Sequence, residues 1–162
     1  TLDRSSAASD VYKRQLQNLH KYRLSSVILV ALCDDRIELV KVKTRESFVG
    51  SAVLPPQANG RSDWDDEQRN NGRNHLPFAH PRTPVTNSRA ATEVLKNVLT
   101  QSRFSPTAPI LIIRPQIRFL NDITDAELNT LRDVALKAGA AQVHMYLKPE
   151  FSDNDWGFFE SL

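Results

Sequence analysis

The sequence predicts an α/β domain built on a mixed five-stranded sheet with two crossover helices. Three observations carry this reading. Three short β-prone runs follow one another between Ser25 and Leu54 with only tight turns between them. Two longer segments, about 88–102 and 125–137, set apolar residues at helical spacing. Each of these is followed by a compact apolar run, as when a helix returns the chain to a parallel strand.

Ser25–Leu32, SSVILVAL, is β-branched and continuous, and reads as a buried strand. Asp34-Asp35 supplies turn chemistry. Arg36–Lys43 alternates charged and apolar residues and reads as a half-exposed strand. Thr44–Ser47 turns, and Phe48–Leu54 is the third strand of an antiparallel meander. Pro55-Pro56 ends it, and residues 55–86 form a polar loop. Its acidic run, Asp63, Asp65, Asp66 and Glu67, lacks the sixth-position glycine and closing glutamate of a calcium loop, so it reads as solvated charge.

Thr86-Asn87-Ser88 can cap a helix running to about Ser102. Ala91, Val94, Leu95, Val98 and Leu99 form one face of it. Ile110–Arg114 is a fully apolar strand of the doubly covered kind. A second helix starts at Thr124-Asp125 and runs to about Lys137, with Leu128, Leu131, Val134 and Ala135 as its stripe. Gly139 suits a left-handed cap. Gln142–Leu147 is the last strand, and residues 149–162 are expected to form an acidic, aromatic tail. The order β-β-β-α-β-α-β, with a meander and two right-handed crossovers, is that of the ribonuclease H-like core, here spanning residues 25–148.

Residues Ser5–Gln15, SSAASDVYKRQ, resemble letter for letter the translation of a transposon-end sequencing adapter. Residues 1–15 are therefore expected to carry no function and to pack poorly, and the gene product is read from about Leu16. Setting them aside leaves 147 residues and lowers the net charge from +2 to +1. Such a near-neutral chain excludes bulk attraction to nucleic acid. No run approaches the roughly eighteen apolar residues of a membrane span. The single cysteine, Cys33, cannot form an internal disulfide, and a reducing, cytoplasmic setting is the expectation. Cys33 ends an apolar run and reads as a small buried hydrophobe rather than a reactive thiol.

Leu131–Leu147, LRDVALKAGAAQVHMYL, is similar to a stretch of the bacterial actin homologue MreB, and the order of elements matches the first subdomain of the actin fold. The short basic amphipathic opening followed by Ser25-Ser26 resembles the start of MreB. Phe78–Leu99, with FAHPRTPV and ATEVLKNVL, looks still more like short proteobacterial proteins of the MreB-like or stress-induced type. The resemblance covers nearly all of residues 16–153. It implies an actin-like half-domain, the part of a rod shape-determining family protein that precedes the second domain.

The departures from that family bear on function. Its ATPases hold phosphate with Asp-x-Gly-Thr after the first strand, the aspartate acting through magnesium and water and the glycine admitting backbone amides to the phosphates. At that place the chain has Ala31-Leu32-Cys33-Asp34, so the phosphate-loop position Ala31, Cys33, Asp34 is degenerate. The family's water-orienting glutamate aligns with Glu127, which without phosphate loops reads as a first-turn helix acid. No GxxxxGK[ST], GxGxxG or GxSxG motif is present. The carboxylate-free strands Val27–Leu32 and Ile110–Ile113 oppose a two-metal nuclease. His75 and His80 lie in a proline-bearing loop without further ligands, so both are expected to support turns, and His144 alternates within a strand.

The expectation is a non-catalytic protein with no cofactor and no metal. It acts through a protein partner, MreB or its complex being the candidate, in cell shape or stress response. Leu16, Leu19, Lys21 and Arg23 form a small basic amphipathic piece, and Trp156, Phe158 and Phe159 an apolar one. Both are expected as partner contacts or as a weak peripheral contact with the inner membrane. The alternative is a truncated nucleotide-binding filament ATPase missing its second domain.

Overall fold

A computed structural model describes residues 25–54 and 76–162. The meander consists of β1 (Val27–Leu32), β2 (Arg36–Lys41) and β3 (Ser47–Ser51). Helix α1 (Ser88–Ser102), strand β4 (Ile110–Arg114), a 3₁₀ turn (Ile117–Phe119), helix α2 (Asp125–Lys137) and strand β5 (Gln142–Met145) follow. A third helix, α3 (Asp153–Ser161), ends the described chain. The strands form one sheet in the order β3-β2-β1-β4-β5. β1–β2 and β2–β3 are antiparallel, whereas β1–β4 and β4–β5 are parallel. The expected segments before residue 25 and between 55 and 75 lie outside the described residues.

The caps set the helix limits. The Asn87 side chain accepts from the N–H groups of Arg89 and Ala90 at 3.1 and 3.0 Å. Thr124 and Glu127 form a capping box at the start of α2. At its end the Ala140 N–H bonds to the Ala135 carbonyl and the Gly139 N–H to that of Leu136, a pair of bonds that closes the turn around Gly139 at φ 113°.

Both crossovers, β3 to β4 through α1 and β4 to β5 through α2, travel the same way across the sheet. Right-handed connections then put both helices on the same face. They pack there side by side, α1 over β3 and β2, α2 over β5. Alternation along the strands supplies the matching core. Ile28, Val30, Leu32, Ile37, Leu39, Leu111 and Ile113 meet Ala91, Val94, Leu95 and Val98 of α1 and Leu131, Val134 and Ala135 of α2.

Two crossovers on one face leave the other uncovered, and the expected tail covers it as α3. Ser152 and Asp155 make a second capping box, and Phe159 of the helix they start packs on Leu29, Val42, Ile112 and Tyr146. Phe151 stacks on Tyr146, with ring centroids 4.6 Å apart. The far end of the helix is tied down at the β2–β3 turn. There Arg45 takes a left-handed conformation, φ 62°, that costs a non-glycine residue energy. Its guanidinium lies 3.7 Å from the centre of the Trp156 ring and 3.0 Å from the Glu160 carboxylate, contacts that offset the strain. Beneath α3, Asp155 accepts from Lys148, Ser152 and Tyr146. The Lys148 ammonium and these hydrogen bonds hold its carboxyl far below the usual range. Burial and that carboxylate push the Tyr146 hydroxyl up to about 12.

Candidate functional site

The carboxyl ends of adjacent parallel strands are where a sheet of this kind offers its ligand crevice. A cleft of about 720 Å³ opens there, around the β1–β2 turn and the segment that follows β4. The register sets Ala31 between Glu38 on β2 and Arg114 on β4. At the place where the resemblance implies a magnesium-directing carboxylate, the centre of this row carries a methyl group.

The turn itself is closed. The Cys33 N–H donates to the Arg36 carbonyl at 3.0 Å, so Asp34 and Asp35 form a two-residue hairpin loop and the Cys33 amide is already spent. Asp34 accepts from Arg118 at 2.7 Å. Arg118 also donates to the carbonyl of His80 at 3.0 Å, which fastens the loop before α1 to this end of the sheet. Arg36 bonds to Glu38 at 2.8 Å and to Asp35 at 3.3 Å. Burial, and then the Glu38 charge, push the Cys33 thiol up, so it stays protonated and is a poor nucleophile at neutral pH. Gln116, 5% exposed, donates to the Phe78 carbonyl. Arg114 turns toward the Pro149 carbonyl and the Phe151 ring.

A phosphate chain needs several free donors and, for magnesium, an uncommitted carboxylate. Here the acids are paired with arginines, the turn contains no glycine, and the Cys33 amide is engaged. The residues present do not fit a magnesium nucleotide. Among the described residues no group of three or more His, Cys, Asp or Glu could hold a metal, and no helix is long and apolar enough to cross a membrane.

The expected residues are not gathered into one site. Ala31, Cys33 and Asp34 line the cleft together. Glu127 does not line it; its carboxylate accepts from the N–H and hydroxyl of Thr124, both at 2.9 Å, as a helix cap. His80 accepts from the Arg82 N–H at 3.1 Å, a turn role, while His75 lies outside the described residues. Leu16, Leu19, Lys21 and Arg23 also lie outside them. The aromatic group is corrected in part. Phe158 is 55% exposed, but Phe159 is 3% exposed and Trp156 is half-buried, because the capping box winds the tail into a helix that lays both on the sheet. Sequence reasoning missed Glu38, Arg114, Gln116 and Arg118 in the cleft. Only the register and a contact across 84 residues bring them there, and no local pattern marks them.

No protein-family model matches the chain, and no curated protein matches it. Among solved structures, MreB5 of Spiroplasma citri bound to ADP is similar, with 13% identity over 75% of this chain and 38% of that one, at a TM-score of 0.51. MreB 5 of Spiroplasma citri bound to AMPPNP gives 12% identity, the same coverage and a TM-score of 0.46. The first likeness shows the fold: an actin-like half-domain. The chain spans 38% of the length of the MreB5 structures it matches.

Proposed function

We propose that this actin-like half-domain is a non-catalytic interaction protein that binds a protein partner instead of a nucleotide. The observation that carries the reading is the row Glu38–Ala31–Arg114 at the carboxyl ends of β1 and β4. The position that would direct magnesium is an alanine, and the neighbouring acids are neutralised by arginines of the same chain. A half-domain of the MreB type points to MreB or its membrane complex as the partner, to a cytoplasmic place beside the inner membrane, and to cell shape or stress response as the process. The amphipathic Leu16–Leu24 piece would add a weak, reversible membrane contact.

The competing reading is one half of a nucleotide-binding filament ATPase. It draws on the ADP bound by MreB5 and on the 38% of that protein which this chain spans. Isothermal titration with Mg-ATP separates the two. The interaction reading expects no saturable heat up to about 1 mM, and an affinity of about 1 μM would favour the ATPase.

A further inference from the structure

We propose that the outer edge of β5 is a docking site for an extended, acidic segment of a partner protein, which joins the sheet as a sixth strand. This deepens the reading of the chain as an interaction protein and supplies the surface and the partner's chemistry.

Among the described residues β5 ends the sheet and pairs only with β4. The Tyr146 N–H bonds to the Ile113 carbonyl, and Ile113 stands beside Met145 in the register. In a parallel ladder alternate residues point both main-chain groups the same way. His144 and Tyr146 therefore face β4, and Val143 and Met145 turn their N–H and C=O groups outward. Among the described residues no main-chain bond outside the ladder reaches either of them. Edge strands are commonly guarded by lysine, proline or a bulge, yet Gln142–Met145 carries neither a charge nor a proline.

A groove of about 560 Å³ follows this strand. Arg132 of α2 lines it from one face of the sheet and Phe158 of α3 from the other, with Val143 and His144 between them. Helices on opposite faces can line a single groove here only where it wraps the strand's free edge. Phe158 is 55% exposed, so the α3 shoulder is apolar. Strand addition uses such a setting: main-chain bonds supply affinity and flanking side chains supply specificity.

Charge selects the occupant. Lys148 is paired with Asp155 at 2.7 Å, whereas Arg132 has no carboxylate partner among the described residues. The Nε2 atom of His144 is buried with no hydrogen-bond partner among them. The groove thus holds one positive charge in excess, and an acidic side chain complements it. A second copy paired edge to edge about a two-fold axis would bring the two Arg132 walls together, where like charges repel.

The probe is a fluorescein-labelled peptide that alternates valine with aspartate and glutamate, titrated against the full chain by anisotropy with amide hydrogen exchange read in parallel. Saturable binding with slowed exchange at Val143 and Met145 is expected. Arg132→Glu, a change at an exposed position, should weaken binding about tenfold or more, and a peptide with lysine in place of its acids should restore binding to that variant. No saturable binding at about 1 mM, unchanged exchange at both residues, or indifference to Arg132→Glu would overturn the proposal. So would a peptide-free dimer already protected at Val143 and Met145. Each of these results leaves the Mg-ATP titration as it was, so the edge can fail as a site while the non-catalytic reading stands.

Discussion

Gly50 is the point of closest approach between the sheet and α1. A Cβ atom built there would lie 2.7 Å from both γ-methyl groups of Val98 and 3.1 Å from its Cβ. Carbon atoms in good contact sit about 3.5–4.0 Å apart, so the deficit is about 1 Å on two sides at once. Valine cannot turn away, because any rotation that removes one methyl from the contact leaves the other facing position 50. In an open strand, alanine would be no worse than glycine. Here Gly50→Ala should cost about 1–3 kcal/mol, the usual range for overpacking. Val98→Ala alone removes two buried methyl groups, about 1.6 kcal/mol at 0.8 each, plus a cavity term. In the double variant the new methyl at position 50 enters the space vacated at 98. The two losses should therefore fall short of additivity by about 0.5–3 kcal/mol. Urea unfolding followed by circular dichroism on the four proteins measures the cycle. A neutral Gly50→Ala, or a double variant that simply sums the two, would refute the close packing of α1 on β3.

Three further outcomes follow from the same packing. Leu95→Ala and Leu131→Ala, at 1% and 2% exposure, should each cost about 2–5 kcal/mol in urea unfolding, and a loss below about 0.5 kcal/mol would place these residues on the wrong helical face. In an absorbance titration one tyrosinate should form only near pH 12, and Tyr146→Phe should remove that step. Its raised value means that the stability it contributes is complete below about pH 10 and is lost between there and about pH 12. Asp155 behaves oppositely: its lowered value makes its contribution complete above about pH 4 and lost on further acidification, so Asp155→Asn should flatten the acid limb of the melting profile and melt α3 first.

Legibility followed the range of the forces. The strands were visible because alternation and β-branched runs are local, and α1 and α2 because stripe and caps agree at Asn87, Thr124 and Gly139. That both crossover helices share one face, and not the two faces of the sheet, was not legible, because it depends on their common direction of travel, which only the strand order sets. Helix α3 escaped because nine residues with Gly157 in their midst carry little helical pattern. Its signals were the Ser152-x-x-Asp155 capping box and the three-residue spacing of Trp156 and Phe159. In the candidate site the alanine at position 31, where the resemblance implies a carboxylate, was readable, since residue type is written in the sequence. The neutralisation of Asp34 by Arg118 was not, because that pair is made by the fold across 84 positions.

The proposed non-catalytic function requires that the carboxyl ends of β1 and β4 receive no nucleotide. Amide chemical shifts of Cys33, Asp34, Asp35 and Gln116, followed as Mg-ATP is added, test it at the atoms concerned. No saturable movement of these four signals is expected up to about 1 mM nucleotide. Saturable shifts at Cys33 and Asp34 with a midpoint of about 1 μM would contradict it.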